Sequence, residues 1–532
     1  MNIIPKPNTQ THVISGRYML PMSLCADTGS FEPRCLTAFF ERGDFSETVI
    51  SGKPDIWLGL KQNSSLPVEG YLLSVSDNGI SIEAATEQGV IWALTTVSEL
   101  TDSNRSVPLV KLKDSPKYSH RGLMLDCVRQ FFHADEVKRI IEQMSLVKMN
   151  VLHWHLTDDQ GWRIESKKYP LLHSQGGEFF TQAEIRDIVE FASVRGVEII
   201  PEIDLPGHTT GLLAAYPQYS CFGEKVEYAV CGGIYNVILC PGKEKVYEFL
   251  DALLEEVCGL FSSQRFHIGG DEAPKAEWRK CPDCLRLMDD SGLRNWDEVQ
   301  GHFTSRIVDI LKKYKKSAVL WNDALKAENI PKDVIAQFWN QQYAKDLRRH
   351  LNTGGEYIFS DMFKIYLDYP HAITPLKKVY NTRPKTLARD NSGNTGLLGI
   401  EACMWTEHVF DSSRLEQQLF PRIFAVAEAA WTQERDYDDF LRRLPLKLKV
   451  LSVAGIAFVP VPECDPAGKV RRKEAIEYFS GITSALPPDI RKNTIEAADA
   501  SVGFMFKTIW NFFKITDLPA LAKSIRKTLK YQ

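Results

Sequence analysis

The chain has 532 residues, of which 44% are hydrophobic and 25% are charged, and its formal net charge at neutral pH is −4. This length allows two or three domains of a globular protein, and the balance of charge argues against a general nucleic-acid-binding surface. We therefore expect no nucleic-acid partner. No apolar run is long enough to span a membrane, so we also expect no membrane span.

The N-terminal region predicts a small α/β domain that covers residues 1–115. Its first 20 residues lack the basic start, the apolar core and the small-residue cleavage site of a signal peptide. Three segments between residues 55 and 84 have the alternating pattern of strands, and residues 86–101 predict an amphipathic helix. We expect a cytoplasmic protein, with secretion as the alternative if the sequence lacks its leader.

Residues 116–455 predict a closed (β/α)8 barrel, the TIM barrel, because short apolar segments alternate there with helical ones. Eight segments have the length of buried strands: 121–128, 150–156, 197–203, 265–268, 318–321, 334–339, 356–360 and 397–404. Alternating β and α elements imply a parallel sheet with right-handed crossovers, and eight units are the number that closes a barrel. An open doubly wound sheet is the alternative, and the count of eight favours the barrel.

The barrel is expected to close with one helix over residues 414–431. Residues 456–532 then predict a helical C-terminal extension. The last part of this extension, residues 506–532, is basic and aromatic. Such a stretch is typical of a helix packed on its own domain, and contact with a membrane surface or a partner is the alternative.

The 11 cysteines are an odd number at scattered spacing, which argues against a secreted disulfide framework. One C-x-x-C pair is present, Cys281 and Cys284. No second pair and no suitably spaced histidine follows it, so the spacing predicts no metal site and no cofactor.

Polar and aromatic side chains recur directly after the predicted strands, at the barrel face where active sites form. Along the chain they are Asp126, Arg129, His153, His155, Asp158, Asp204, His208, Asp271, Glu272, Trp321, Asp323, Trp339, Asp361, Tyr366, Asp368, Trp405 and Glu407. Any one of them has a structural interpretation, as a helix cap or a core tryptophan. Together they indicate a sugar site, because tryptophan faces stack on sugar rings and paired carboxylates perform acid–base work on a glycosidic bond.

The stretch at residues 265–272, with the sequence RFHIGGDE, ends a predicted strand in two adjacent carboxylates. Neighbouring strand residues point to opposite sides, so both acids reach one ligand only if the backbone bends, and Gly269 and Gly270 permit that bend. Two close carboxylates raise each other's pKa, which we expect to keep Glu272 protonated and Asp271 ionised. The alternative is that Asp271 only caps a helix.

Five motifs resemble those of the family 20 glycoside hydrolases, the β-N-acetylhexosaminidases. They are RGLMLD at 121–126, HWHLTDDQGW at 153–162, PEIDLPGH at 201–208, HIGGDE at 267–272 and WTE at 405–407. The likeness extends over residues 1 to about 435 and includes the small N-terminal domain of that family. It implies an exo-acting enzyme that removes terminal β-linked GlcNAc or GalNAc from glycans or chitooligosaccharides.

The resemblance also implies a retaining mechanism in which the 2-acetamido group of the substrate attacks the anomeric carbon and forms an oxazolinium-like intermediate. Glu272 would be the general acid and base, Asp271 would orient the acetamido group, and Tyr366 would hydrogen-bond its oxygen. The implied substrate-binding residues are Arg121, Asp158, His208, Trp321, Trp339, Asp368, Trp405 and Glu407. Arg121 and Glu407 would bind remote hydroxyl groups, and the pair of Asp158 and His208 would support the acid.

Three alternatives stay open at this point. The sugar preference could be that of a lacto-N-biosidase or of a β-N-acetylgalactosaminidase, or the barrel could bind sugar without catalysis. The sequence implies an oligosaccharide or glycoconjugate substrate and leaves open whether the chain forms a homodimer.

Overall fold

The computed structural model describes residues 2–9, 12–50, 56–384, 387, 395–471, 473–475 and 478. The segment 506–532, and with it most of the predicted C-terminal extension, lies outside these residues. Within them, no helix combines the length and the apolar character needed to cross a bilayer.

An N-terminal mixed sheet of seven strands precedes the barrel. Its spatial order is His12–Met19, Ser106–Asp114, Tyr71–Ser76, Gly79–Ala84, Leu58–Gln62, Ser23–Asp27 and Glu47–Ile50. Helices Thr37–Gly43 and Glu87–Leu100 belong to the same domain. The sequence predicted only three of these strands. The outermost ones, such as His12–Met19, are exposed along almost their whole length and therefore carry no alternating apolar pattern.

Eight parallel strands close into the predicted barrel. In chain order they are His120–Asp126, Val151–His155, Glu198–Glu202, Arg265–His267, Ser317–Trp321, Ile335–Phe338, Glu356–Phe359 and Leu397–Met404. The last strand pairs with the first, which completes the ring. All eight predicted strands are confirmed, with ends that agree to within two residues, because buried parallel strands are continuous apolar runs that sequence reveals directly.

Helices surround this barrel, most of them in the connections between its strands and the last four after its final strand. The longer ones are Ala134–Leu146, Gln182–Ser193, Glu244–Cys258, Pro282–Asp290, Trp296–Lys313, Ala344–Leu351, Ser412–Leu419, Arg422–Trp431 and Tyr437–Val453. The shorter ones are Leu171–Ser174, Thr210–Ala215, Met362–Ile365, Leu376–Tyr380 and Val461–Cys464. The single helix expected at 414–431 is wrong: Pro421 ends one helix and precedes a second, because proline cannot continue the backbone hydrogen bonding.

Two carboxylates inside the barrel link its strands through histidines. Glu401 on the eighth strand contacts His120 Nε2 at 2.7 Å and His153 Nδ1 at 2.9 Å, and it accepts a hydrogen bond from Gln337 Nε2 at 2.6 Å. Buried charges need partners of this kind, since an unpaired one is strongly destabilising.

Glu202 on the third strand is the second of these carboxylates. It lies 3.1 Å from His153 Nε2 and 2.9 Å from His267 Nδ1, and it also contacts His155 Nδ1. His153 therefore joins both carboxylates, and the interior of the barrel is one connected polar network.

The network predicts that stability falls in alkaline solution. Burial disfavours protonation of His153, but Glu202 and Glu401 outweigh it and raise the pKa of His153 to about 9. Burial likewise opposes protonation of His155, and Glu202 and Asp158 raise the pKa of His155 to about 10. Both values lie above that of an unfolded histidine, about 6.5. The stabilisation is therefore complete below about pH 6.5 and is lost as the pH rises through 9 to 10.

Urea unfolding between pH 6 and pH 10 measures this effect. We expect the free energy of unfolding to decrease from pH 6.5 upward, and the decrease to be smaller in His153→Gln, which cannot carry the charge. A flat profile in the unaltered chain would show that the two carboxylates do not hold charged histidines.

Candidate active site

A pocket of about 430 Å³ opens at the C-terminal ends of the barrel strands. Nine of the eleven predicted site residues line it: His208, Asp271, Glu272, Trp321, Trp339, Tyr366, Asp368, Trp405 and Glu407. Its wall is completed by Arg129, Tyr369, His408, Tyr478 and the loop residues 230–233. Of the two remaining predicted residues, Asp158 lies directly behind the wall, and Arg121 lies elsewhere.

The two adjacent acids face one pocket because the backbone turns sharply before them. Gly269 and Gly270 have φ values of 63° and 95°. Glu272 itself has a φ of 45°, a backbone conformation that residues other than glycine rarely adopt. A Cβ atom on Gly269 would lie 1.7 Å from Asp204 Oδ1, so only glycine fits there. The backbone N–H of Glu272 donates to Asp323 Oδ2 at 2.9 Å, which holds the turn in place.

The environments of the two acids differ. Asp271 is buried, whereas the side chain of Glu272 is 36% exposed and can meet both a leaving group and water. His208 Nε2 lies between them, 3.8 Å from Asp271 Oδ2 and 3.7 Å from Glu272 Oε2. One shielded and one accessible carboxyl group therefore face the same pocket.

Protonation of Asp271 departs from the expectation. Burial raises the pKa of Asp271 well above its usual range, and the neighbouring Asp204 carboxyl raises it further. Burial also raises the pKa of Asp204 well above its usual range, and the two carboxyl groups lie close together beside His208. Without a ligand the pair therefore favours sharing a proton, since two close carboxylates do not readily ionise together. The prediction that Asp271 is ionised does not hold for the site without substrate.

Asp158 supports His208 from behind the pocket. Its carboxylate contacts His208 Nδ1 at 3.3 Å, His155 Nε2 at 3.1 Å and Arg129 at 2.6 Å. Burial alone would favour a neutral imidazole, but Asp158 raises the pKa of His208 well above its ordinary value. The arrangement holds an imidazolium ion beside the two catalytic candidates.

Three tryptophans form the apolar wall of the pocket. The indole N–H of Trp321 donates to Glu202 at 2.9 Å, and that of Trp339 donates to Asp323 at 3.1 Å. The rings of Trp321 and Trp405 lie 5.9 Å apart with an interplanar angle of 41°. The indole N–H groups of Trp321 and Trp339 are thus bonded to the protein, and the flat faces of the rings are left to contact a ligand.

The rim of the pocket carries one arginine and two further acids. The Arg129 guanidinium lies 5.0 Å from the centre of the Trp405 ring and 3.9 Å from Glu407. Asp368 Oδ1 and Asp271 Oδ1 are buried and lack a hydrogen-bond partner among the described residues. Unpaired buried oxygens are unfavourable, so they mark positions where ligand groups would bind.

Arg121 is not part of the site, which corrects the motif-based prediction. It lies near the start of the first barrel strand, and five residues of strand, about 16 Å, separate it from the pocket end at Asp126. Its guanidinium instead pairs with Glu69 at 2.5 Å and lies over Trp431 at 5.0 Å. Arg121 therefore joins the barrel to the N-terminal domain, and Arg129 is the arginine of the pocket.

Sequence reasoning missed Asp204, Asp323 and Arg129 as site residues, although each follows a predicted strand. The strand-end pattern contained all three, and only the choice among its members failed. Tyr478 could not have been found in this way, because it comes from the region after the barrel and reaches the pocket through contact with Tyr369.

A barrel pocket that combines two adjacent acids with an aromatic wall defines a carbohydrate-cleaving enzyme, and the comparisons agree. Residues 118–434 match the glycosyl hydrolase family 20 catalytic domain, and residues 1–115 match domain 2 of the same family. The chain belongs to glycosyl hydrolase family 20. The predicted barrel and the prediction of a glycoside hydrolase are thereby confirmed.

Relatives of known class are similar over most of this chain. A beta-hexosaminidase of Porphyromonas gingivalis is 35% identical over 78% of this chain, and one of Vibrio furnissii is 32% identical over 80%. The chain spans 57% of the length of the former protein and 76% of the latter.

Solved structures of the family superpose on this one. The GH20 exo beta-N-acetylglucosaminidase of Vibrio harveyi, in complex with N-acetylglucosamine, has a TM-score of 0.78 at 30% identity, and the match covers 86% of this chain and 78% of that one. The beta-N-acetylhexosaminidase of Bacteroides fragilis has a TM-score of 0.80 at 29% identity, covering 88% of this chain and 99% of that one.

The two arginines are expected to fail in different ways. Arg121→Gln leaves Glu69 without its partner at the domain junction and should lower the free energy of unfolding by about 3–5 kcal/mol, with kcat/KM unchanged. Arg129→Gln removes a charged contact from the pocket and should lower kcat/KM about 10- to 100-fold. Urea unfolding and kinetics on a chromogenic N-acetylglucosaminide, at a temperature where both variants are folded, separate the effects. Loss of kcat/KM in a fully stable Arg121→Gln would contradict this assignment.

Proposed function

We propose that this chain is an exo-acting β-N-acetylhexosaminidase that removes terminal β-linked GlcNAc or GalNAc from glycans or chitooligosaccharides. The observation that carries the proposal is the convergence of Asp271, Glu272 and Tyr366 with three tryptophans on one pocket. The pocket volume of about 430 Å³ lies toward the lower end of the range for ligand sites, which suits a single terminal sugar. The names of the relatives support the same activity.

The proposed reaction is retaining and substrate-assisted. The acetamido oxygen attacks the anomeric carbon, while Glu272 donates its proton to the leaving oxygen. Glu272 then takes a proton from the water that opens the oxazolinium ring. Its partial exposure suits both steps, because the aglycone and the water must reach the same carboxyl group.

Asp271 and Tyr366 position the acetamido group in this proposal. Asp271 accepts a hydrogen bond from the acetamido N–H and stabilises the positive charge that develops on the acetamido nitrogen. The shared proton with Asp204 adds a condition: Asp271 becomes the ionised member of the pair as that charge develops, and Asp204 keeps the proton. Tyr366 packs beside Trp405 in the pocket wall, where its hydroxyl would donate a hydrogen bond to the acetamido oxygen.

N-Acetyl specificity follows from the same contacts. A sugar with a free hydroxyl at C2 lacks the nucleophile and also lacks the methyl group that the tryptophan wall would contact. A chromogenic N-acetyl-β-glucosaminide should therefore be hydrolysed and the matched β-glucoside should not. Binding of GlcNAc without any turnover would instead establish the non-catalytic sugar-binding alternative.

The finer preferences stay predictions. A panel of GlcNAc- and GalNAc-terminated substrates, together with a lacto-N-biose-terminated one, compares the hexosaminidase with its two catalytic alternatives by kcat/KM. Neither the homodimer nor the cytoplasmic location is tested by the structure.

Replacement of the acid should have an effect that depends on the leaving group. Glu272→Gln cannot donate a proton, so we expect kcat to fall about 10²- to 10⁴-fold for a poor leaving group such as a sugar. The loss should be smaller for dinitrophenol, which departs without protonation. Steady-state kinetics with both substrates measure this ratio, and an equal loss with both would remove Glu272 from the role of acid.

Asp271→Asn should separate catalysis from folding. Asparagine keeps the shape but cannot stabilise a positive charge, so kcat should fall about 10²- to 10³-fold. Since burial already disfavours the ionised aspartate, the midpoint of thermal unfolding should be unchanged or higher. Circular dichroism and kinetics on the same preparation test both points. An unfolded variant would support the helix-cap interpretation.

A further inference from the structure

Four cysteines from three separate segments of the sequence meet beside the active-site pocket. Cys221, Cys240, Cys281 and Cys284 are all buried, and their sulfur atoms all lie within 4.8 Å of one another. The Sγ–Sγ distance is 3.8 Å for Cys221 and Cys284, 3.7 Å for Cys240 and Cys281, and 3.5 Å for Cys240 and Cys284. None of these four is in a disulfide.

These distances are those of a tetrahedral metal–thiolate site. With a zinc–sulfur bond of about 2.3 Å, the edge of a regular sulfur tetrahedron is about 3.8 Å. A disulfide bond is far shorter, about 2.05 Å. Pairing into disulfides would therefore require the sulfur atoms to move closer together, whereas a zinc ion fits the arrangement with little change.

The backbone around the cysteines has the form of a metal-binding turn. Cys281 is the N-cap of helix Pro282–Asp290, and Cys284 lies in the first turn of that helix. The Cys240-Pro-Gly turn packs directly against it, since a Cβ atom on Gly242 would lie 2.3 Å from the Asp283 carbonyl carbon. The N-terminus of this helix would stabilise the negative charge of bound thiolates.

Among the described His, Cys, Asp and Glu side chains, the group that meets at this point consists of the four cysteines. The small apolar cluster that contains the four cysteines has only Ile238, Ala273, Trp278 and Val299 as further buried members. Four sulfur donors in apolar surroundings form a soft ligand set, which selects zinc among the common divalent ions and excludes magnesium and calcium.

We propose that Cys221, Cys240, Cys281 and Cys284 bind one structural zinc ion. The ion has four protein ligands and no open position, so it takes no part in the chemistry. The proposal of a zinc site does not depend on the proposed enzymatic activity, because zinc content can be measured whether or not the chain is active.

The ion would fasten a long loop that forms one wall of the pocket. Eighteen residues separate Cys221 from Cys240, and loops longer than about 12–15 residues without regular structure are uncommon unless something holds them. The base of this loop is the bridge between Ser220 and Leu239, directly beside the metal ligands. Its far part brings Gly232 and Gly233 to the pocket.

The other two ligands lie just beyond the catalytic turn. Cys281 follows Glu272 by nine residues, and between them the indole N–H of Trp278 donates to the carbonyl of Leu239 at 3.0 Å. Zinc would thus tie the pocket wall to the segment that follows Asp271 and Glu272. Its loss should raise KM, through the loop, more than it lowers kcat.

The first experiment uses the unaltered full-length chain. After expression in zinc-supplemented medium and purification without chelators, elemental analysis should find close to one zinc ion per chain. Replacement by cobalt should produce the intense visible absorption of a tetrahedral cobalt–thiolate centre. Both measurements are made on folded, unmutated protein, so they stay decisive if the variants below do not fold.

Matched cysteine variants locate the ion. Cys221→Ser and Cys284→Ser should lose zinc and unfold at lower temperature, whereas Cys258→Ser, which also alters a buried cysteine but lies outside the cluster, should retain zinc and activity. In the unaltered chain, a zinc chelator should lower the unfolding temperature and raise KM.

The proposal is overturned by a metal-free chain from zinc-replete expression, by iron in place of zinc, or by disulfides among the four cysteines in mass spectrometry of unreduced protein. It is also overturned if Cys258→Ser loses the ion and Cys221→Ser keeps it. An inactive chain that binds zinc would overturn the proposed function and leave the metal site standing.

Discussion

The pocket depends on a buried series of carboxylate–imidazole contacts that begins in the middle of the barrel. Glu202 holds His155, His155 contacts Asp158, and Asp158 contacts His208, whose far nitrogen faces Glu272. Each member is buried and charged or hydrogen-bonded, so removing one leaves its neighbour unpaired at a large free-energy cost. The acid that meets solvent thus lies at the end of a series of contacts that runs from the pocket wall into the middle of the barrel.

The sequence alone predicts the barrel strands and the face on which the pocket lies. The eight strands are predictable because each is a short apolar run, and the polar residues at their C-terminal ends indicate the active face independently of any motif. The arginines show how the two kinds of inference differ. Position along the strand pointed to Arg129, while motif matching pointed to Arg121, and the structure agrees with position. A motif match indicates that the chain belongs to a family, whereas the position of a residue along its strand indicates which end of the barrel that residue faces.

Two features could not be predicted because they depend on contacts between distant segments. The shared proton of Asp204 and Asp271 arises because a glycine without a side chain lets one carboxyl approach the turn that carries the other. The cysteine cluster is similar. Cys281 and Cys284 form a recognisable pair, but Cys221 and Cys240 precede them by dozens of residues and lie 19 apart, at no spacing that marks a zinc site. Spacing rules detect ligands that share a local turn and miss those that the fold brings together.

The pocket is therefore supported from two directions by different physics. Below it, the polar network of the barrel interior fixes Trp321 through Glu202 and fixes His208 through Asp158. Beside it, the loop that carries Gly232 has little regular structure, and its base is attached next to the catalytic turn. The loop is also held to the segment after the second strand, where the backbone N–H of Ala229 donates to the carbonyl of Asp159 and the side-chain amide of Gln160 donates to the carbonyl of Cys231. Rigid strands determine where the bond is broken, while an attached loop determines how the rest of the substrate is accommodated. The two supports meet at Asp159 and Gln160, because Asp159 contacts His208 and Gln160 accepts a hydrogen bond from Arg129, so the loop is joined to the barrel network as well as to its own base.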